Sequence, residues 1–294
     1  MRPVKILTDS CSDLNKELRD KYDIDYVFMN TEFEGKETPA SLDWAYISAH
    51  DFYETMRNGG RFLTTQVPIS EFKRAYSEYL EKGFDVVYIG CSSKQSGSVN
   101  TGFVVAREFM NEHPEMQIFV IDSLNACMGE GLLAMKAAEY RNQGLDAKTI
   151  NEKITAELKT VNEFCTIHTL EYMKRAGRIK ASKAFFGNLL GVKPIIVADA
   201  EGNQTALKKA KGRQNSMQEI VNLMKEAVGE DKDQTIYVLH ADCLEEAKEL
   251  EKMVQEEIGP RDTYVTHIGP IIGASIGPDA LALFAFGKTV TFVG

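Results

Sequence analysis

Phe84-Asp85-Val86-Val87-Tyr88-Ile89-Gly90 is the stretch that decides the fold class of this chain. Apart from Asp85 it is an apolar, β-favouring run of strand length, closed by a glycine. That is the pattern of a strand buried on both faces of a parallel sheet. Residues 117–121 repeat it downstream and residues 4–8 precede it. The stretches between have helical spacing. Residues 70–82 place Phe72, Tyr76, Tyr79 and Leu80 on one face, residues 133–142 follow the third run, and residues 148–161 carry Ile150, Ile154, Leu158 and Val161. This alternation predicts an α/β domain with a mainly parallel sheet.

The second half reads differently. Strands are expected over residues 193–197, 205–210, 235–240, 264–268 and 288–293, with long helices over 216–228 and 244–258. The turn Asp199-Ala200-Glu201-Gly202-Asn203 joins the first two runs as a hairpin. The expectation is a two-domain chain: an α/β domain over residues 1–161 and an α+β domain with a mixed sheet over 162–294.

A net charge of -9 argues against a general nucleic-acid binder and against docking on anionic membrane through a polybasic patch. No run reaches the ~18 apolar residues of a membrane span, and the apolar run near the N-terminus is short and interrupted by Lys5, unlike a signal peptide. The five cysteines, Cys11, Cys91, Cys127, Cys165 and Cys243, are odd in number, scattered, and never spaced C-x-x-C. Reduced thiols in a cytoplasm fit this better than a disulfide scaffold or a structural zinc site.

Several segments have the makings of a ligand site, each beside a plainer reading. Asp9 and Ser10 stand at the end of the first strand, where α/β sheets bind ligands, whereas Ser12 or Asp13 is read as the cap of the next helix. Thr64-Thr65 precede a helix, so their hydroxyls could hold an anionic head group or simply form a loop and cap. In Ser96-Gly97-Ser98 small side chains and a glycine allow close approach of a ligand; a flexible turn is the alternative. Gly129-Glu130-Gly131-Leu132-Leu133-Ala134 matches G-x-G-x-x-A, but six residues separate it from its strand, which defeats a dinucleotide reading. Gly273-Ala274-Ser275-Ile276-Gly277 matches a nucleophile elbow, yet no histidine follows Ser275. His168 and His240 read as hydrogen-bonded core residues, and no histidine pair has metal-ligand spacing. The basic run Arg175, Arg178, Lys180, Lys183 and the cluster Lys208 to Arg213 stand out on an acidic chain, either as solvated faces or as sites for an anionic ligand or an acidic partner surface.

Taken in order, these segments resemble the DegV family over nearly the whole chain. The resemblance rests on residues 8–14, Thr64-Thr65-Gln66, Ser96-Gly97-Ser98, residues 121–124 with 129–132, the block 169–179, Gly191-Val192-Lys193-Pro194 and residues 269–278. It implies two α/β domains with a lipid tunnel between them that buries a long-chain fatty acid. It also implies a non-catalytic role as the fatty-acid-binding subunit of a fatty acid kinase, with no cofactor. On the family pattern Thr64 or Thr65 and Ser96 grip the carboxylate, joined by a histidine whose place here is taken by Ser275. Further departures are Asp279 for glycine, Ser98 for threonine and Val67 for proline. The expected ligand-binding set is therefore Thr64, Thr65, Ser96, Gly97, Arg178, Ile272, Gly273 and Ser275, with Lys211 and Arg213 facing a kinase partner.

The physics suits such a ligand. Each buried methylene contributes ~0.8 kcal/mol, so about sixteen carbons gain on the order of 12 kcal/mol before binding costs. The carboxylate needs donors, which clustered hydroxyls supply. Tunnel walls are expected from the apolar residues of 185–190 and from Ile271-Ile272. Two other readings are a serine-dependent acyl hydrolase using Ser275 or Ser96, for which no base can be placed, and a regulator without ligand.

Overall fold

The structure, a computed structural model, describes residues 2–182, 185 and 191–294. In chain order its elements are β1 (Val4–Asp9), α1 (Lys16–Tyr22), β2 (Ile24–Val27), β3 (Asn30–Phe33), β4 (Lys36–Pro39), α2 (Ala49–Arg57), β5 (Leu63–Thr65), α3 (Ile69–Glu81), β6 (Asp85–Gly90), α4 (Ser98–Glu112), β7 (Ile118–Asp122), α5 (Met128–Asn142) and α6 (Ala147–Glu157). There follow β8 (Val161–Thr166), α7 (Glu171–Ala176), β9 (Val192–Ala198), β10 (Gln204–Lys211), α8 (Arg213–Val228), β11 (Thr235–His240), α9 (Leu244–Glu257), β12 (Asp262–His267), α10 (Pro270–Ile276) and β13 (Leu281–Phe286).

The first sheet is parallel throughout, in the order β2-β1-β6-β7. All residues of β1 and β6 are buried, because α3 and α4 cover one face while α5 and α6 cover the other. The second sheet, β10-β9-β8-β13-β11-β12, is mixed: only β11 and β12 run parallel. Its outer face packs Ile195 and Leu283 against Ile220 of α8 and Leu250 of α9. A small antiparallel sheet, β4-β3-β5, completes the molecule.

Helix α5 is the joint between the two large sheets, touching β1 and β6 on one side and β8 and β13 on the other. Its residues from Met128 to Met135 are all buried, as befits a helix enclosed on every side. One core cluster accordingly runs from Ile6 and Val87 through Leu133 to Ile196 and Phe284. The fold class expected from the sequence is therefore the one observed, and the hairpin at Asp199 is present, with its carboxylate accepting from the amides of Glu201 and Asn203 (both 2.9 Å).

Four local expectations are corrected. Val161, expected to close a helix, instead opens β8 (residues 161–166), a central strand whose alternation polar Asn162 and Glu163 mask. The last strand is β13, and residues 288–293 form none. Asn15, not Ser12 or Asp13, caps α1, its Oδ1 accepting from Leu18 N (3.0 Å), while Asp13 is buried with φ 51° and accepts from the Cys127 thiol (2.8 Å). His168 lies exposed beyond β8, whereas His240 is buried and accepts from Cys243 N (3.3 Å). Lys183 and the expected tunnel-wall residues Phe186 to Leu190 lie outside the described residues.

Candidate ligand cavity

At the carboxyl end of the first sheet the chain must turn sharply after each strand, and buried Asp9 organises two of these turns. Its Oδ1 accepts from Cys11 N (2.8 Å), and its Oδ2 accepts from Tyr88 OH (2.7 Å) and Cys91 N (3.1 Å). Burial nonetheless holds its carboxyl above the ordinary range. The turns so fixed bring Cys11 and Cys91 to the wall of a cavity whose empty space is about 1000 Å³ when the part open to solvent is counted.

The far wall of the cavity comes from the second sheet. Inward-facing Glu163 and Cys165 of β8, Ile196 of β9 and Ala282 and Phe284 of β13 form it. Helix α10 supplies Ile271, Ile272, Ser275 and Ile276. The mouth lies at Thr64, Arg178 and Ser275, which also line an adjoining surface pocket together with Arg61 and Arg175. On a chain of net charge -9 this places three guanidinium groups at one opening.

Of the residues singled out in the sequence, Thr64, Thr65, Ser96, Gly97, Arg178, Ile272 and Ser275 come together on this cavity. Thr64 and Thr65 lie on strand β5, not in a loop; Thr65 Oγ1 donates to Glu37 Oε1 (3.2 Å). Ser96 Oγ and Ser98 Oγ share a hydrogen bond (2.9 Å) at the start of α4. A Cβ at Gly97 would stand 2.1 Å from Oε1 of the exposed Gln66 side chain, which bonds Thr101 Oγ1 (2.9 Å) and would have to shift. Arg178 is tethered by its Nε to Gln95 O and by its Nη1 to Ala176 O (2.7 Å). Ser275 Oγ donates back along its helix to Ile271 O (3.3 Å). Gly273, by contrast, packs on Tyr53, its Cβ position 2.4 Å from the phenolic oxygen, and is not part of the wall. Arg213 is bound within the molecule to Glu246 (2.5 Å) and Asp279 O (2.8 Å), and Lys211 is exposed nearby on β10. Asp279 has φ 62°, a conformation that glycine adopts more freely than other residues, and its carboxylate pairs with Arg57 (2.5 Å).

Sequence reasoning missed Glu163, Gln204 and the thiols Cys11, Cys91, Cys127 and Cys165. All six line the cavity. The signal available was the alternation Val161, Glu163, Cys165, Ile167, which faces inward as a row. Burial pushes the Cys127 and Cys165 thiols up, so neither is a ready nucleophile. Among the described residues the lining contains no histidine, and no group of three metal-ligating side chains is present.

Burial raises Glu163 from 4.5 to about 7, with the Gln204 amide (3.0 Å) opposing the shift. A carboxyl raised on folding binds its proton more tightly in the native state. Its contribution to stability is complete below pH 4.5 and is lost as pH rises through about 7. Glu163→Gln should remove that dependence. Urea unfolding is expected to show the variant gaining on wild type by about 3 kcal/mol between pH 4.5 and 8; parallel pH profiles would refute it.

The fold and cavity thus define a two-sheet α/β protein with an apolar interior chamber opening at a polar, basic mouth. The family model described as "Uncharacterised protein, DegV family" matches residues 3–288, and the chain belongs to the DegV family. It is 31% identical over 292 residues to a DegV domain-containing protein of Clostridium perfringens, covering 98% of this chain and 99% of that one. Among solved structures it is similar to a fatty-acid-binding DegV family protein from Thermus thermophilus (25% identity, TM-score 0.86, 98% and 100% of the two chains). It is also similar to DegV, a fatty acid binding protein from Bacillus subtilis (26% identity, TM-score 0.83, 98% and 100%). A DegV lipid binding protein from Thermotoga maritima shares the fold (23% identity, TM-score 0.86, 99% and 100%).

Proposed function

We propose that this protein binds a long-chain fatty acid in the cavity, with the carboxylate at the mouth and the alkyl chain inward, and presents the acid group to a partner kinase. The observation that carries the reading is the polarity of the chamber: hydroxyls and arginine at the opening, and mainly apolar side chains within, Glu163 and Gln204 being polar exceptions. Thr64 Oγ1, Ser96 Oγ, Ser275 Oγ and the Arg178 guanidinium supply donors of the kind a carboxylate needs. The relatives described as fatty-acid-binding proteins support the same ligand class. A chain of about fourteen to eighteen carbons matches the methylene energetics, at ~0.8 kcal/mol each. Lys211 is the exposed candidate for contact with the kinase, whereas Arg213 is engaged within the fold. A cytoplasmic setting agrees with five unpaired cysteines, and no helix of the described residues is long and apolar enough to cross a membrane. As a hydrolase, Ser96 and Ser275 would lack a base, since each bonds only to another hydroxyl, an amide or a helix carbonyl.

Native mass spectrometry of protein purified from cells without added lipid tests this. The expected result is a co-purifying mass of one fatty acid, which the delipidated protein regains from solution. A bare polypeptide mass, with no uptake of added palmitate or oleate, would overturn the reading.

A further inference from the structure

We propose that the cavity selects acyl chains bearing a hydroxyl group on the alkyl chain, and that Glu163 with Gln204 is the polar station receiving it. The inference rests on the fatty-acid reading above and narrows its ligand.

Glu163 occupies an inward position of β8, between Val161 and Cys165 in the same row and opposite Phe284 of β13. Its neighbours there are apolar, so a carboxyl is out of place unless something uses it. Extending the β8–β9 register puts Ala198 opposite Glu163, and this small residue lets Gln204 reach over from β10. Gln204 Nε2 donates to Glu163 Oε2 (3.0 Å). No donor among the described residues reaches Glu163 Oε1, although the residue is only 7% exposed and lines the chamber. Nor does any cation among the described residues form an ion pair with it. Both residues line the chamber, and neither lines the adjoining surface pocket that Thr64, Arg178 and Ser275 share.

A saturated chain lying against this station would leave its oxygen without a partner. A hydroxyl would satisfy it in either protonation state, donating to the carboxylate or accepting from the carboxylic acid. That versatility matters because burial brings the group to titrate near pH 7. The same carboxyl disfavours an acid group beside it, which favours a ligand with its head at the arginines of the mouth. The selective feature is thus a neutral hydroxyl on the alkyl chain.

The test is calorimetric titration of delipidated protein with hexadecanoic acid and with a series of hexadecanoic acids hydroxylated at successive positions along the chain. At least one hydroxylated acid is expected to bind wild type about tenfold or more tightly than the plain acid. Glu163→Leu should cancel or reverse that preference, and Glu163→Gln, which keeps shape and hydrogen bonding, should retain it. Equal or weaker binding of every hydroxylated acid by wild type overturns the inference while leaving the carrier reading in place, whatever the variants do. A preference that survives in a folded Glu163→Leu protein overturns the assignment to Glu163. Failure of every acid, plain or hydroxylated, to bind overturns the carrier reading and this inference with it.

Discussion

Replacing Ile272 by tryptophan is expected to reduce fatty-acid affinity by about a hundredfold or more while leaving the fold intact. Ile272 is half-buried on α10 and packs against both core clusters that meet at the cavity, so its side chain is part of the wall between them. The larger indole has the chamber itself to expand into, where it takes the place of ligand carbons. Displacing four or five methylenes forfeits about 3–4 kcal/mol at ~0.8 each, and 1.4 kcal/mol corresponds to a factor of ten in affinity. Titration with palmitate, alongside a thermal melt to confirm the fold, measures both quantities. A variant that binds as tightly as wild type would place the acyl chain somewhere other than this chamber.

Asp9→Ala should destabilise the protein by about 3–5 kcal/mol, a large share of ordinary domain stability. Three donors converge on this one side chain: the amides of Cys11 and Cys91 and the hydroxyl of Tyr88. All three residues are at most 2% exposed, so water has no easy route to replace the lost oxygens. Each stranded donor costs about 1–3 kcal/mol, and the truncation also leaves a void. Asp9→Asn keeps one acceptor oxygen and is expected to cost less, about 1–2 kcal/mol. Urea denaturation of the two variants decides the matter. A loss under 1 kcal/mol for the alanine would mean that the turns after β1 and β6 hold themselves without Asp9. Those turns carry Cys11 and Cys91 into the cavity wall, so a parallel loss of ligand affinity is expected.

The residues that were readable in advance share a property: their chemistry is local. The run from Phe84 to Gly90 announces a doubly buried strand because its side chains are apolar on both faces, and it is one. Thr64, Ser96 and Ser275 stand in short motifs with a recognisable order along the chain, and all three line one cavity. Strand β8 was not readable. Its inward row includes Glu163 and its outward row Asn162, so the apolar alternation that marks a half-buried strand is broken on both faces. Thr64 and Thr65 were read as loop because strand β5 is only three residues long, all exposed, and owes its existence to pairing with β3. Arg213 looked like an exposed cation until Glu246 of α9 and the carbonyl of Asp279 were folded against it.

The sequence by itself determined that this is an α/β chain of the DegV pattern with its hydroxyl motifs in order, since periodicity and short motifs are written within a few consecutive residues. Only the tertiary structure decided what the chamber is made of. Cys11, Cys91, Cys127 and Cys165 look scattered along the chain, and Glu163 and Gln204 lie 41 positions apart, yet all face one cavity. They meet because α5 is packed between two sheets, and long-range packing of that kind leaves no trace in the spacing of the residues it brings together.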